Sequence, residues 1–158
     1  MSAKNNQLTT EERIWVAAVI DCEGMITIHT PWNKQRHNRN LQHYCRVQMT
    51  ELEMIKRLHA ICGGSMKKST LCASMRTEAW YWNLTAGGLR WLLPQILPFL
   101  MAKKRHAEIA LKVLAGNQRG RGRQMPFETL RPLLVEMRSL QKSGYNGDID
   151  KIRASLRT

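Results

Sequence analysis

Acidic residues are missing from two long stretches of this sequence. None occurs between Gly24 and Thr50 or between Met54 and Thr77, although both stretches contain lysine, arginine and histidine. Over the whole chain 25 basic residues stand against 12 acidic ones, which gives a net charge of +13. Because a solvated surface normally mixes both signs, long acid-free stretches indicate a surface that faces a polyanion, and nucleic acid is the commonest such partner.

Metal-binding spacings and long apolar runs are missing as well. The four cysteines form no C-x-x-C pair and the five histidines no H-x-x-x-H pair, which argues against a zinc finger. Scattered cysteines are typical of reduced, mostly buried thiols in an intracellular protein, in a bacterial or phage cytoplasm or an organelle matrix or stroma. No apolar run approaches the roughly 18 residues of a membrane span, and the polar segment Met1 to Thr10 has no signal-peptide core.

The residues that are present predict one α+β domain over residues 1–158. Its length is sufficient to bury a sizeable core. Residues 1–8 are expected to form a loose tail, 9–115 the core, and 125–156 a helical extension.

Hydrophobic periodicity predicts the order of the elements. A capping box at Thr9 and Glu12 starts a helix that ends near Asp21, before Gly24. Alternating residues then predict two hairpins, separated by a helix that Gly63 and Gly64 end. The remaining segments predict helices at 89–93, 101–115, 126–143 and 149–156. The order αββαββα implies one four-stranded antiparallel sheet followed by additional C-terminal helices.

The segment Val16 to Gly24, VAAVIDCEG, resembles the LAGLIDADG motif of homing endonucleases. The downstream order also matches: a basic hairpin ending in glutamine, a helix closed by Gly-Gly, a hairpin with Trp and Tyr, and Leu-Pro-Phe-Leu before Lys103-Lys104. This resemblance covers about residues 10–115. It implies a site-specific endonuclease, encoded within a mobile intron, that makes a metal-dependent double-strand break and leaves short 3′ overhangs.

The resemblance also implies catalytic roles. It places Glu23 at the scissile phosphate as a Mg²⁺ ligand, beside the backbone carbonyl of Cys22, and hard cations do prefer oxygen ligands. Many family members have Asp at the position of Glu23. Mn²⁺ is expected to substitute for Mg²⁺, and Ca²⁺ to support binding without cleavage. Gln48 resembles the residue that positions solvent, and Lys103 the lysine that stabilises charge on the phosphate. The alternatives are that Gln48 is an ordinary glutamine at the end of a strand and that Lys103 is a helix-face lysine exposed to solvent.

Asp21 and Gly24, the other two residues at the end of the motif, are expected to stabilise the end of the helix. The chain has a single copy of the motif, and single-motif members of the family pair as homodimers. The small Ala17 and Ala18 suit close contact between two motif helices. The expected dimer interface comprises Ile14, Ala17, Ala18 and Asp21, and its symmetry requires a pseudo-palindromic DNA target.

Strand parity predicts which side chains face double-stranded DNA. These residues are Thr27, His29, Gln42, Tyr44 and Arg46 on the first hairpin, and Ser65, Lys67, Ser69, Tyr81 and Asn83 on the second. Lys104, the alternative to Lys103, is also expected to contact DNA. Phosphate contacts are expected from Lys34, Arg36 and Arg39 at the hairpin tip and from Arg119, Arg121 and Arg123. For the last three, a solvated basic loop is the alternative.

Two other functions fit the same fold. One is an RNA maturase that assists splicing, with intron RNA as its partner, and the other is a DNA-binding regulator that does not cleave. Retention of Glu23, Gln48 and Lys103 favours the endonuclease. A structural basic protein explains neither the motif nor the alternating hairpins.

Overall fold

A computed structural model describes residues 7–30, 32–33, 38–39, 41–69, 78–117 and 125–141. Its helices are α1 (Thr10–Glu23), α2 (Leu52–Cys62), α3 (Ala86–Ile96), α4 (Lys104–Gly116) and α5 (Phe127–Leu140). Its strands are β1 (Gly24–His29), β2 (Trp32–Asn33), β3 (Asn38–Arg39), β4 (Gln42–Met49), β5 (Ser65–Lys68) and β6 (Trp80–Thr85). The predicted αββαββα order is confirmed, α4 and α5 follow it as the additional C-terminal helices, and β2 with β3 extends the first hairpin.

The main sheet has four antiparallel strands in the order β1-β4-β6-β5. Its strands alternate between the two faces, as the sequence predicts. On one face Ile26, Cys45, Val47 and Trp82 are each 0% exposed, and helices α1 to α4 pack against the strands of the sheet. The opposite face carries polar side chains, so the sheet separates an apolar core from a polar surface.

The core is larger than the sequence indicates at both ends. Leu8, expected in a loose tail, is only 7% exposed, and its amide donates to the Gln95 side chain at 2.8 Å. At the other end, Leu130 and Leu134 of α5 are buried against the same cluster. The tail prediction is therefore wrong at Leu8, and α5 contributes to the core. Residues 1–6 and the predicted helix at 149–156 lie outside the described residues.

Helix α3 is longer than the predicted helix at residues 89–93. Gly87 and Gly88 lie in its first turn, and Pro94 lies near its end. Pro94 cannot donate to the carbonyl of Arg90 one turn earlier, yet α3 continues for two residues beyond it, to Ile96. At Gly88 a Cβ atom would lie 2.3 Å from Leu84 Cδ1, whereas one at Gly87 would meet nothing within 4 Å. Gly88 therefore allows α3 to pack closely on β6.

The thiols partly match their prediction. Cys45 and Cys62 are buried, and burial raises the pKa of each to about 12. Cys22 is exposed, and Cys72 lies outside the described residues. Within the described part of the chain, no helix is long and apolar enough to cross a membrane.

The two adjacent glycines of α3 give a matched test of this packing. Gly88→Ala is expected to lower the free energy of unfolding by about 1–3 kcal/mol, because the methyl group overlaps Leu84. Gly87→Ala is expected to raise it by about 0.5–1 kcal/mol, because alanine is the better helix former. Urea unfolding of both variants measures the difference, and equal midpoints would contradict close packing at Gly88.

Candidate active site and nucleic-acid interface

Helix α1 is defined at both ends by local contacts. At its start the Thr9 hydroxyl accepts from the Glu12 amide at 3.2 Å, and the Glu12 carboxylate accepts from the Thr9 amide at 2.8 Å. At its end Gly24 donates to the Ile20 carbonyl, and a Cβ atom on Gly24 would lie 2.7 Å from that oxygen. The absence of a side chain lets α1 continue directly into β1, which makes Glu23 the last helical residue.

Asp21 joins the end of α1 to the segment that precedes α4. Its two carboxylate oxygens accept from the backbone amides of Met101 at 2.7 Å and Lys103 at 2.8 Å. The Lys103 ammonium donates to the Asp21 backbone carbonyl at 2.5 Å. A cation at this position is favourable because the C-terminal end of a helix carries partial negative charge. These bonds make Asp21 a structural residue in this chain.

Glu23 presents an exposed carboxylate at the same end of α1. Gly24 pairs with Val47 at the end of the β1–β4 ladder, so Glu23, which precedes Gly24, and Gln48, which follows Val47, lie at the same end of the sheet. The Gln48 side-chain amide donates to the Ser69 hydroxyl at 3.4 Å. The structure thus gathers Glu23, Gln48 and Lys103 at one end of the sheet, while no described residue forms a hydrogen bond or ion pair with the Glu23 carboxylate.

The polar face of the sheet extends away from this end. Strand register places on it Thr27, His29, Gln42, Tyr44, Arg46, Gln48, Ser65, Lys67, Tyr81 and Asn83. None of the six described strands contains an aspartate or glutamate. The whole face therefore offers donors, amides and positive charge without opposing carboxylates of its own, which suits a phosphate-bearing partner.

Thr27 differs from its prediction. It lies on the polar face by register but is only 4% exposed. Its hydroxyl accepts from the Gln141 side chain at 2.5 Å, at the end of α5. The prediction that Thr27 contacts DNA is therefore wrong for this structure, because its side chain is buried and bound to Gln141.

Of the basic residues predicted to contact DNA from the hairpin tip, the segment 119–123 and position 104, the structure describes only Arg39 and Lys104. Lys34 and Arg36 lie outside the described residues, as do Arg119, Arg121 and Arg123. Arg39 belongs to β3, where it pairs with Trp32. Lys104 is exposed as the first residue of α4.

The exposed side of α1 agrees with the predicted interface only in part, because Asp21 is half-buried and its carboxylate binds the amides of Met101 and Lys103. Ile14 is 50% exposed, and Ala18 and Cys22 are also exposed, at a spacing of four residues along one helical side. Ala17 is only 1% exposed, so it faces its own core and cannot belong to a contact between two copies.

Sequence reasoning did not single out Met101, which is 88% exposed. The Asp21 carboxylate holds the Met101 backbone beside the end of α1. The Leu-Pro-Phe-Leu stretch directly precedes Met101 and could have drawn attention to this position. The sequence does not show, however, that the methionine side chain is exposed in the folded chain.

The fold is similar to those of solved homing endonucleases. It aligns with I-CvuI in complex with the I-CreI target at a TM-score of 0.75 and 15% identity, over 92% of each chain. It aligns with the archaeal intron-encoded I-Vdi141I in complex with DNA at 0.73 and 13% identity, over 92% of this chain and 94% of the other. For the group I intron-encoded I-CeuI in complex with DNA the values are 0.67 and 14%, over 98% and 80%.

These likenesses show that the chain has the homing-endonuclease fold, as its motif implies. The sequence itself matches no protein-family model and no curated protein.

The different environments of Asp21 and Glu23 predict different effects on stability. Asp21→Ala is expected to lower the free energy of unfolding by about 1.5–3 kcal/mol, because two backbone amides lose a charged acceptor. Glu23→Gln is the matched control from the same helical turn and should leave the urea midpoint unchanged. An equal loss in both variants would contradict the structural role of Asp21.

Proposed function

We propose that this chain is a site-specific DNA endonuclease that acts as a homodimer and requires a divalent cation. The observation that carries the proposal is the exposed carboxylate of Glu23, to which no described residue binds and which lies with Gln48 and Lys103 at one end of an acid-free sheet face. The fold adds support, because similar chains are homing endonucleases in complex with DNA. We further propose cleavage of both strands with short 3′ overhangs, and an origin within a mobile intron.

The donor set is suitable for Mg²⁺ held jointly with DNA. Among the described residues no group of three His, Cys, Asp or Glu side chains could hold a metal alone. Mg²⁺ commonly retains several waters and binds through one or two carboxylates and substrate phosphates, which fits a single exposed Glu23. The Cys22 carbonyl lies in the last turn of α1, where helix carbonyls lack intrahelical partners. A bound ion would supply an activated water and neutralise charge on the phosphate.

Lys103 and Gln48 have complementary roles in this proposal. The bond to the Asp21 carbonyl holds the Lys103 ammonium two residues away from Glu23, where it stabilises negative charge that develops on the phosphate. Gln48 uses its NH₂ group on Ser69. Its carbonyl oxygen thus remains the group that accepts from, and orients, a water molecule.

The second copy is proposed to bind along the exposed side of α1. Ile14, Ala18 and Cys22 form an apolar row with small members, which allows two helices to approach closely. A two-fold axis through this row places two Glu23 carboxylates near each other, one for each DNA strand, and aligns the two polar faces along the duplex. The target is then pseudo-palindromic.

The activity depends on the Glu23 carboxylate. On a duplex target selected from a random pool, Glu23→Gln is expected to lower Mg²⁺-dependent cleavage at least about a thousandfold, because an amide is a poor ligand for Mg²⁺. Binding measured in Ca²⁺ should remain within about threefold of the wild type. Glu11→Gln, at the exposed first turn of the same helix, is the control and should cut normally. Cleavage by Glu23→Gln at the wild-type rate would refute the assignment, and a wild type that binds but never cuts would indicate a regulator.

The dimer is tested by charging the α1 row. Ile14→Glu is expected to convert the dimer into a monomer, because two carboxylates would be buried near the two-fold axis without partners. Val135→Glu is the matched control, since Val135 is 43% exposed on α5 and Ile14 is 50% exposed on α1. Sedimentation of both variants gives the molar mass in solution, and a dimeric Ile14→Glu protein would place the interface elsewhere.

A further inference from the structure

One cluster on the polar face holds an arginine in an unusual environment. Arg46, its neighbours Tyr44 and Tyr81, and Asn83 form what we call the Arg46 cluster. Arg46 and Asn83 lie directly opposite each other on the two central strands, β4 and β6. Because these strands are central, the cluster lies in the middle of the face and not at its edge.

The two tyrosines orient the guanidinium group of Arg46. Its central carbon lies 5.3 Å from the centre of the Tyr44 ring and 4.9 Å from that of Tyr81. Contacts of this kind attract a cation to the face of an aromatic ring and restrict its motion. No carboxylate of the described residues pairs with Arg46, so its charge is positioned but not neutralised.

Two polar atoms of the cluster are buried without a hydrogen bond. Neither Arg46 Nε, a donor, nor Asn83 Oδ1, an acceptor, finds a partner among the described residues, although the two residues are cross-strand neighbours. Leaving such groups unpaired is costly, and in native proteins it commonly marks a place where water or a ligand binds. A matching ligand presents acceptors to the arginine and a donor to the asparagine.

The major-groove edge of a G·C base pair has this order of groups. Guanine presents the acceptors N7 and O6, and the paired cytosine presents its N4 amino group as a donor. An A·T pair in the same orientation presents a donor, adenine N6, where Arg46 needs an acceptor. It also presents an acceptor, thymine O4, opposite Asn83 Oδ1. The cluster therefore discriminates between the two pairs at both positions.

We propose that Arg46 and Asn83 together read one G·C base pair in each half of the DNA target, an inference that rests on the proposed function. Arg46 donates to guanine N7 and O6, and Asn83 accepts from cytosine N4. Tyr44 and Tyr81 are positioning residues that hold the guanidinium plane before DNA binds.

The test is a selection from duplex DNA with a randomised central segment, bound to the intact protein in Ca²⁺ and sequenced. The wild type is expected to enrich a two-fold symmetric motif that includes one strongly preferred G·C pair per half. Arg46→Lys retains the charge but lacks the planar fork, so the preference for G at that pair should fall by roughly five- to 150-fold. The preference at all other positions should persist.

Three further variants separate reading from folding. Arg57→Lys is the matched control, because the Arg57 guanidinium also stacks on an aromatic ring, 4.4 Å from the centre of Trp15, but lies outside the sheet. It should select the wild-type motif. Asn83→Ala should weaken the preference at the same base pair as Arg46→Lys. Tyr81→Phe keeps the ring and should keep the motif, whereas Tyr81→Leu should lose preference at that one pair.

The outcomes distinguish this inference from the proposed function. An enriched motif that Arg46→Lys leaves unchanged would overturn the inference alone, and so would a uniform loss of affinity at every position, which is the behaviour of a phosphate contact. Loss of a preference for a base other than guanine would also overturn it. A wild-type pool without any enriched motif would contradict site-specific binding itself.

Discussion

The bonds between Asp21 and the segment 101–103 hold the parts of the site together. They connect the end of α1, which carries Glu23, to the start of α4, which carries Lys103, although the bonded residues are 80 and 82 positions apart in the chain. The Lys103 ammonium adds a third bond in the reverse direction, to the carbonyl of the same residue. Because one aspartate makes all three contacts, the end of α1 and the start of α4 are held in a fixed relation to each other.

The distribution of charge differs between the helices and the sheet. Acidic side chains of the described residues lie on helices and loops, where several pair with nearby cations. Arg105, for example, binds Glu108 within α4 and Glu136 on α5, which ties the two helices together. The strands carry none. The positive charge of the helical side is thus partly neutralised, whereas no carboxylate of the described residues forms an ion pair with a cation on the polar sheet face.

The sequence predicted the sheet more closely than the helices, for a physical reason. Side chains along a strand alternate between its two faces, so once one residue is assigned correctly the faces of all the others follow. Tyr44, Arg46, Tyr81 and Asn83 all lie on the predicted face. In α1 apolar residues surround most of the helix, so its sequence does not indicate which side meets the core. Ala17 and Ala18 are adjacent and equally small, yet only Ala18 is exposed.

Other differences arise from contacts between residues far apart in the chain. Thr27 binds Gln141, which is 114 residues away, and Leu8 packs in the core, where its amide donates to Gln95, 87 residues away. No local pattern encodes such pairs. The orientation of Arg46 over two tyrosines belongs to the same class, since one of the rings comes from a different strand.

The contact between Gln141 and β1 also affects whether another strand can pair with the edge of the sheet. Strand β1 lies at an edge, and an edge strand carries backbone groups to which a foreign strand can pair. The Gln141 side chain reaches the Ile26 carbonyl at 3.5 Å as well as the Thr27 hydroxyl. A strand approaching β1 from another molecule would have to displace the end of α5 first. The end of α5 thus protects the β1 edge against edge-to-edge aggregation.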